Sequence, residues 1–152
     1  MAARTYSFKD VSYAFNSPAA GSYVSAGQVG LGGIQVMMAA ERTVHDRAAD
    51  GNIMVSALAG DDGSISLEVQ QTSDIHAFLL LWWNLLKTAM DAGDVSNWAS
   101  ATVMIRSLTD GTEHYARGVS PQKIPDKPYA AQGQKVTWHL MCADLQTTTY
   151  AA

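Results

Sequence analysis

The sequence predicts a mainly β (α+β) chain: an antiparallel sandwich or small barrel of about seven strands with one flanking helix at about 73–90. Three observations predict it. Short segments alternate apolar with polar residues, as half-buried strands do. Asp-Gly pairs at Asp50-Gly51, Asp62-Gly63 and Asp110-Gly111 punctuate them where hairpins turn. A single stretch from Ser73 to Met90 is instead apolar at helical spacing. At 152 residues the chain fits one domain, 1–152, with enough length for a real core.

Taken in order, Tyr6-Ser7-Phe8-Lys9-Asp10-Val11 has the period of a strand that continues through Tyr13 and Phe15. From Asn16 to Gly33, Pro18 and five glycines break any regular period, so the stretch reads as a long loop with a short strand near Tyr23-Val24. A loop of this length is either functional or ordered by a neighbour. Residues 34–59 read as two long strands joined at a charged tip, with about 38–56 forming a hairpin arm. Ser64-Ile65-Ser66-Leu67-Glu68-Val69-Gln70 alternates without a fault, sending Ile65, Leu67 and Val69 inward and Ser66, Glu68 and Gln70 outward. Ser73 suits a helix N-cap, and Asp74 complements the positive end of the helix dipole.

The helix is too apolar for one sheet face alone, because Phe78-Leu79-Leu80-Leu81-Trp82-Trp83 presents apolar groups in every direction. Ile75, Leu79, Trp82 and Leu86 are expected on the parent sheet. Phe78, Leu81 and Trp83 are expected to meet a second subunit. Ala101–Leu108 and Glu113–Ile124 form a second hairpin, and 123–128 is a rigid connector carrying two prolines. A last strand places Val136, Trp138, Leu140 and Cys142 on one face, and Lys135, Thr137 and His139 on the other. The polar tail 146–152 is expected to be either disordered alone or docked on a neighbouring subunit.

Composition excludes several functions. Ten Lys and Arg against fourteen Asp and Glu give a net charge of -4, without the basic stripe of a tight nucleic-acid binder. The lone Cys142 can form neither an intrachain disulfide nor a CxxC knuckle. The opening residues lack the apolar core of a signal peptide, which predicts folding in the cytosol. The apolar run of the helix stops well short of the ~20 residues that span a bilayer.

Chemical motifs are equally sparse. His45, His76, His114 and His139 show no metal-ligand spacing, and Asp74-Ile75-His76 is explained by helix-dipole preference. Gly27-Gln28-Val29-Gly30-Leu31-Gly32-Gly33 lacks the Lys-Ser/Thr of a phosphate loop and precedes extended residues rather than a helix. Asp61-Asp62 has no glutamate at calcium-loop spacing, and Ser56, Ser64 and Ser96 have no activating base nearby. Nothing favours paired carboxylates at glycosidase separation. Trp82, Trp83, Trp98 and Trp138 suit core or interface packing better than a ligand pocket. No enzyme, cofactor or metal is expected. A carbohydrate-binding β-sandwich module remains the alternative from another class.

The apolar helix, the charged hairpin and the absence of chemistry together point to a self-associating structural protein. The fuller pattern resembles bacteriophage tail tube proteins of the contractile-tail type. The residues that carry it are Tyr6-Ser7-Phe8-Lys9-Asp10-Val11, Asp50-Gly51, and Asp62-Gly63-Ser64-Ile65-Ser66-Leu67-Glu68-Val69 running into Thr72-Ser73. The block Lys123-Ile124-Pro125-Asp126 with Tyr129-Ala130, Gly133, Val136, Trp138 and Cys142 completes the match.

The resemblance implies homohexameric rings stacked into a conduit for DNA ejection, and a structural role in the virion with assembly in the host cytoplasm. It implies a sheath protein and a tape-measure protein as partners, non-specific passage of double-stranded DNA, and no membrane. It also makes Glu41, Arg42, His45, Asp46, Arg47 and Asp50 an arm reaching the adjacent ring, with Ser66, Glu68 and Gln70 facing either lumen or solvent. A tube of a related contractile injection or type VI secretion system fits the same features.

Overall fold

The computed structural model describes residue 3, residues 5–26 and residues 31–149. Parts of two expectations, the loop over 27–30 and the tail over 150–152, lie outside the described residues. Strands β1 (Val11–Ser17), β2 (Gly21–Ala26), β3 (Leu31–Met38), β6 (Gly63–Gln70), β7 (Ala101–Ser107), β8 (Thr112–Lys123) and β9 (Lys135–Thr149) form one antiparallel sheet. Its order is β2-β1-β7-β8-β9-β6-β3. Among the described strands, β4 (Thr43–Arg47) and β5 (Ile53–Ala57) pair only with each other, and helix α1 spans Asp74–Asp91.

The seven strands form a half-barrel, and the helix takes the place of a second sheet. Geometry demands the curl. Laid flat, six strand spacings would hold the edges β2 and β3 about 29 Å apart. The four residues between Ala26 and Leu31 allow a reach of no more than about 18 Å. Accordingly, Ile34 and Val36 of β3 line a hollow of about 270 Å³ together with Val11 of β1 and Ile105 of β7. A bulge in β8 bends the sheet as well: Ala116 and Val119 are both buried three residues apart, and the register shifts between them. Gly118 supplies the extra residue at a φ of 63°, where a side chain would also strike Ala143 across the pair.

The inner face holds the core. Val11, Tyr13 and Phe15, Ile65, Leu67 and Val69, and Val136, Trp138 and Leu140 alternate inward as strand period requires. Ser73 caps α1 by accepting from the His76 N–H at 3.3 Å. Ile75, Leu79, Trp82 and Leu86 all point into the half-barrel and are buried. Phe15 meets Trp82 edge-on with centroids 4.9 Å apart, and Trp138 donates its Nε1–H to His76 Nδ1 at 3.1 Å.

Several sequence expectations are corrected here. The first strand starts at Val11, because Phe8–Asp10 is a 3-10 turn capped by Ser7. The Gly-rich stretch contributes two strands, since Pro18-Ala19-Ala20 turns β1 into β2 and β3 begins at Leu31. Residues 34–59 are not two long strands; β3 leaves at Met38 to pair with β6, and a shorter ribbon follows over 43–57. The tail over 146–149 is the end of β9, paired with β8 from Gln146↔Tyr115 to Thr149↔Thr112.

His76 gives this core a pH dependence. Burial, aided by the Lys127 charge, lowers its pKa from the ordinary 6.5. Burial also lowers His114, which bonds Thr147 Oγ1 at 2.8 Å. Both imidazoles are therefore held neutral in the fold while the unfolded chain protonates near 6.5. Their contribution is complete above pH 6.5 and is lost as pH falls toward the folded values. Thermal melting points are expected to fall from pH 7 to pH 5. In His76→Gln the slope is expected to become shallower; an unchanged slope would exclude His76 as a source.

Candidate assembly surfaces

Among the described residues, three surfaces remain uncovered. The first is the β4–β5 arm. Its loop is closed by the Ala48 N–H donating to Asn52 O at 2.8 Å, with Gly51 at a φ of 90°. This is a three-residue loop rather than a two-residue turn, and one left-handed glycine is what that loop class needs. Asp50 accepts from the Asn52 N–H at 3.0 Å and so shapes the tip. Arg42 is held at the root, donating to Asp61 and to Leu58 O. Glu41, His45, Asp46 and Arg47 are exposed along the arm.

The arm is more apolar than its charges suggested. Ile53, Met54 and Val55 are consecutive and 50%, 61% and 60% exposed. Cross-strand pairing sets His45 and Arg47 beside Val55 and Ile53 on one face, and Val44 and Asp46 beside Ser56 and Met54 on the other. Sequence reasoning weighed the arm by its charges and passed over β5. The available signal was Ile53-Met54-Val55 lying beyond an Asp-Gly turn with no polar alternation.

The second surface is on α1. Leu81 is 51% exposed and Leu85 is exposed beside it one turn on, while Phe78 is half-buried against Phe15 and Tyr23. Trp83 does not join them. It lies on the other flank of the helix, where its ring packs edge-on against Trp98 at 6.1 Å. The expected face of Phe78, Leu81 and Trp83 is therefore split, and Leu85 replaces Trp83 in the exposed row. Trp82 and Trp138 are fully buried, so all four tryptophans are engaged in packing within the chain.

The third surface is the outer face of the sheet, with its edges β2 and β3. Ser66 bonds His139 Nδ1 at 3.1 Å, and Glu68 lies 3.6 Å from Lys135 Nζ. Gln70 is exposed at the end of the same row. Arg106 meets Glu113 at 3.3 Å, and Arg117 meets Asp144 at 2.6 Å. Lys135, Glu68, Arg106, Arg117 and Asp144 each adjoin a buried, inward-facing neighbour in their own strand, and Glu113 pairs directly with Arg106, so the three cations and three carboxylates share the outer face. Hydrogen bonds from Gln146 and Arg117 hold the Asp144 carboxyl below its usual range. Cys142, buried, has its thiol pushed up to about 11 by burial, which suits packing rather than reactivity.

Among the described residues no group of three His, Cys, Asp or Glu side chains could hold a metal ion. No described helix is long and apolar enough to cross a membrane.

In fold, the chain is similar to a chain in the cryo-EM structure of the anti-feeding prophage (AFP) baseplate, with a TM-score of 0.60, 16% identity and 98% of each chain covered. It is also similar to a chain of the AFP tube terminating cap, with a TM-score of 0.56 and 11% identity over 99% of this chain and 96% of that one. A chain of the PVC sheath-tube complex of an extracellular contractile injection system, in the extended state, matches with a TM-score of 0.55 and 8% identity over 91% and 88%. No curated protein matches the sequence. A family model, that of the bacteriophage PhiTE tail tube protein, matches residues 2–149, and the chain therefore belongs to that tail tube family.

Proposed function

We propose that this chain is a tail tube subunit whose copies form six-membered rings stacked into a conduit for DNA ejection. The observation that carries the reading is a complete buried core beside an arm, a helix row with exposed leucines and two sheet edges that no described strand pairs. An open sheet edge invites further pairing, and pooling half-barrels around a ring turns each edge into an interior strand. The role is structural, without catalysis.

The outer sheet face suits a lumen. Each unpaired Lys or Arg there would add a salt-dependent phosphate contact that slows a passing duplex. Pairing Lys135, Arg106 and Arg117 with carboxylates on neighbouring strands supports low retention of DNA. A sheath protein outside and a tape-measure protein within during assembly are the proposed partners. The proposed location is the virion tail, with assembly in the host cytoplasm. The arm residues Glu41, His45, Asp46 and Arg47 are proposed to reach the adjacent ring. The fold neighbours favour one second reading, the tube of a contractile injection system, which shares this geometry.

Negative-stain microscopy of the purified protein at high concentration is expected to show six-fold rings or tubes with an open centre. A monodisperse monomer under every condition would overturn the proposal.

A further inference from the structure

We infer that the arm of one copy docks on the exposed helix row of another, placing Arg47, Ile53 and Val55 against Asp74, Leu81 and Leu85. The pairing rests on the tube reading above and names the two surfaces that meet within it.

Both surfaces need a cover. A two-stranded ribbon with apolar groups on both faces is marginal in water by itself, and here β4 and β5 pair with no other strand. Leu81 and Leu85 form an apolar row on a helix whose opposite side is already spent on the core. The dimensions are comparable: the four steps of the five-residue strand extend about 13 Å, and the eleven steps from Asp74 to Leu85 rise about 16 Å.

Charge selects which face of the arm docks. The helix row begins with the carboxylate of Asp74, one turn before Phe78. Its single lysine, Lys87, is turned to the Trp83 flank and bonded to Asp91 at 3.0 Å. One arm face carries Arg47 beside Ile53 and His45 beside Val55; the other carries Asp46 with Met54. The first sets a cation next to β-branched side chains, matching a carboxylate next to leucines. The second would bring two carboxylates together. A second copy is the occupant: α1 packs on its own sheet, with Phe78 and Trp82 against Phe15 of β1 and His76 bonded to Trp138 of β9, while β4 and β5 stand apart from that sheet as a separate ribbon.

The test is a cysteine pair, Val55→Cys with Leu81→Cys, in otherwise unchanged protein; Cys142 stays silent because it is buried. Assembly is first verified by microscopy, and the assembled protein is then oxidised and run on a non-reducing gel. A ladder of covalent multimers from the pair, with each single variant remaining monomeric, is the expected result. Assembled tubes without a ladder would overturn the docking while leaving the tube reading intact. A covalent dimer from Val55→Cys alone would mean that arm meets arm, and would overturn it too. Failure of the unmodified protein to assemble would overturn both. As an independent measure, Asp74→Lys and Arg47→Glu should each lower the assembled fraction at least tenfold with melting temperature held within a few degrees, and the double reversal should recover it.

Discussion

Replacing Trp82 with alanine is expected to lower the unfolding free energy by about 3–5 kcal/mol, the range for deleting a large buried aromatic. Trp82 is wholly buried, and its ring meets Phe15 at 74° with centroids 4.9 Å apart. Part of the loss is transfer of the indole to water, and part is the void left between α1 and β1. Small domains are stable by about 5–15 kcal/mol, so the variant should unfold at a much lower urea concentration. Trp83→Ala should cost less, because Trp83 is half-exposed and shares its contact with Trp98. Equal midpoints for the two variants in urea denaturation would mean that the helix face is misassigned.

Gly63→Ala is expected to destabilise by about 1–3 kcal/mol, the cost of overpacking a filled site. A methyl group there would lie 2.5 Å from the Met37 carbonyl oxygen and 2.6 Å from Leu145 Cδ2. The leucine can rotate; the carbonyl belongs to the β3–β6 ladder and cannot move without opening it. Trimming Leu145 to alanine in the same chain should therefore not restore stability. Recovery by that second change would show that the side chain, rather than the backbone, is the obstacle.

The helix and the central strands were legible because their signals are local and strong. Ser73 and Asp74 announce the helix start, and Ile75, Leu79, Trp82 and Leu86 recur at helical spacing. Ile65, Leu67 and Val69 keep strict alternation because one face of β6 is buried and the other is not. The segments misread lack that asymmetry. β2 is built of Gly, Ser and Ala around Tyr23 and Val24, so small residues blur its period. The end of β9, Gln146-Thr147-Thr148-Thr149, is polar on both faces, and β-branched threonines were its one strand signal.

Pairing was harder to read than strand identity. β3 joins β6 across an intervening ribbon, a choice fixed by packing far along the chain. On the assembly surfaces, the alternation of Ser66, Glu68 and Gln70 outward was readable, as was Leu81 as spare apolar surface. Trp83 was not, because its cover, Trp98, sits fifteen residues later in a loop with no periodicity. The apolar face of β5 was masked by attention to the charges on β4.

The 15-residue strand β9 also governs when this protein can fold. It is the last described element, and it is the seam between β8 and β6, pairing residues as far apart as Gly63 and Cys142. Until β9 is available, the sheet exists as two unconnected sections, β2-β1-β7-β8 and β6-β3, and Trp138 is not yet in place against the helix. Closure must wait for contacts of long sequence separation, which slow folding because loop entropy is lost before the contacts compensate it. During that interval the arm, the helix row and the strand edges are all exposed at once, in a chain that has not yet acquired its ring-forming shape. Self-association in that state would join subunits through the wrong edges. The order of the sheet thus makes completion of the core the step that licenses assembly.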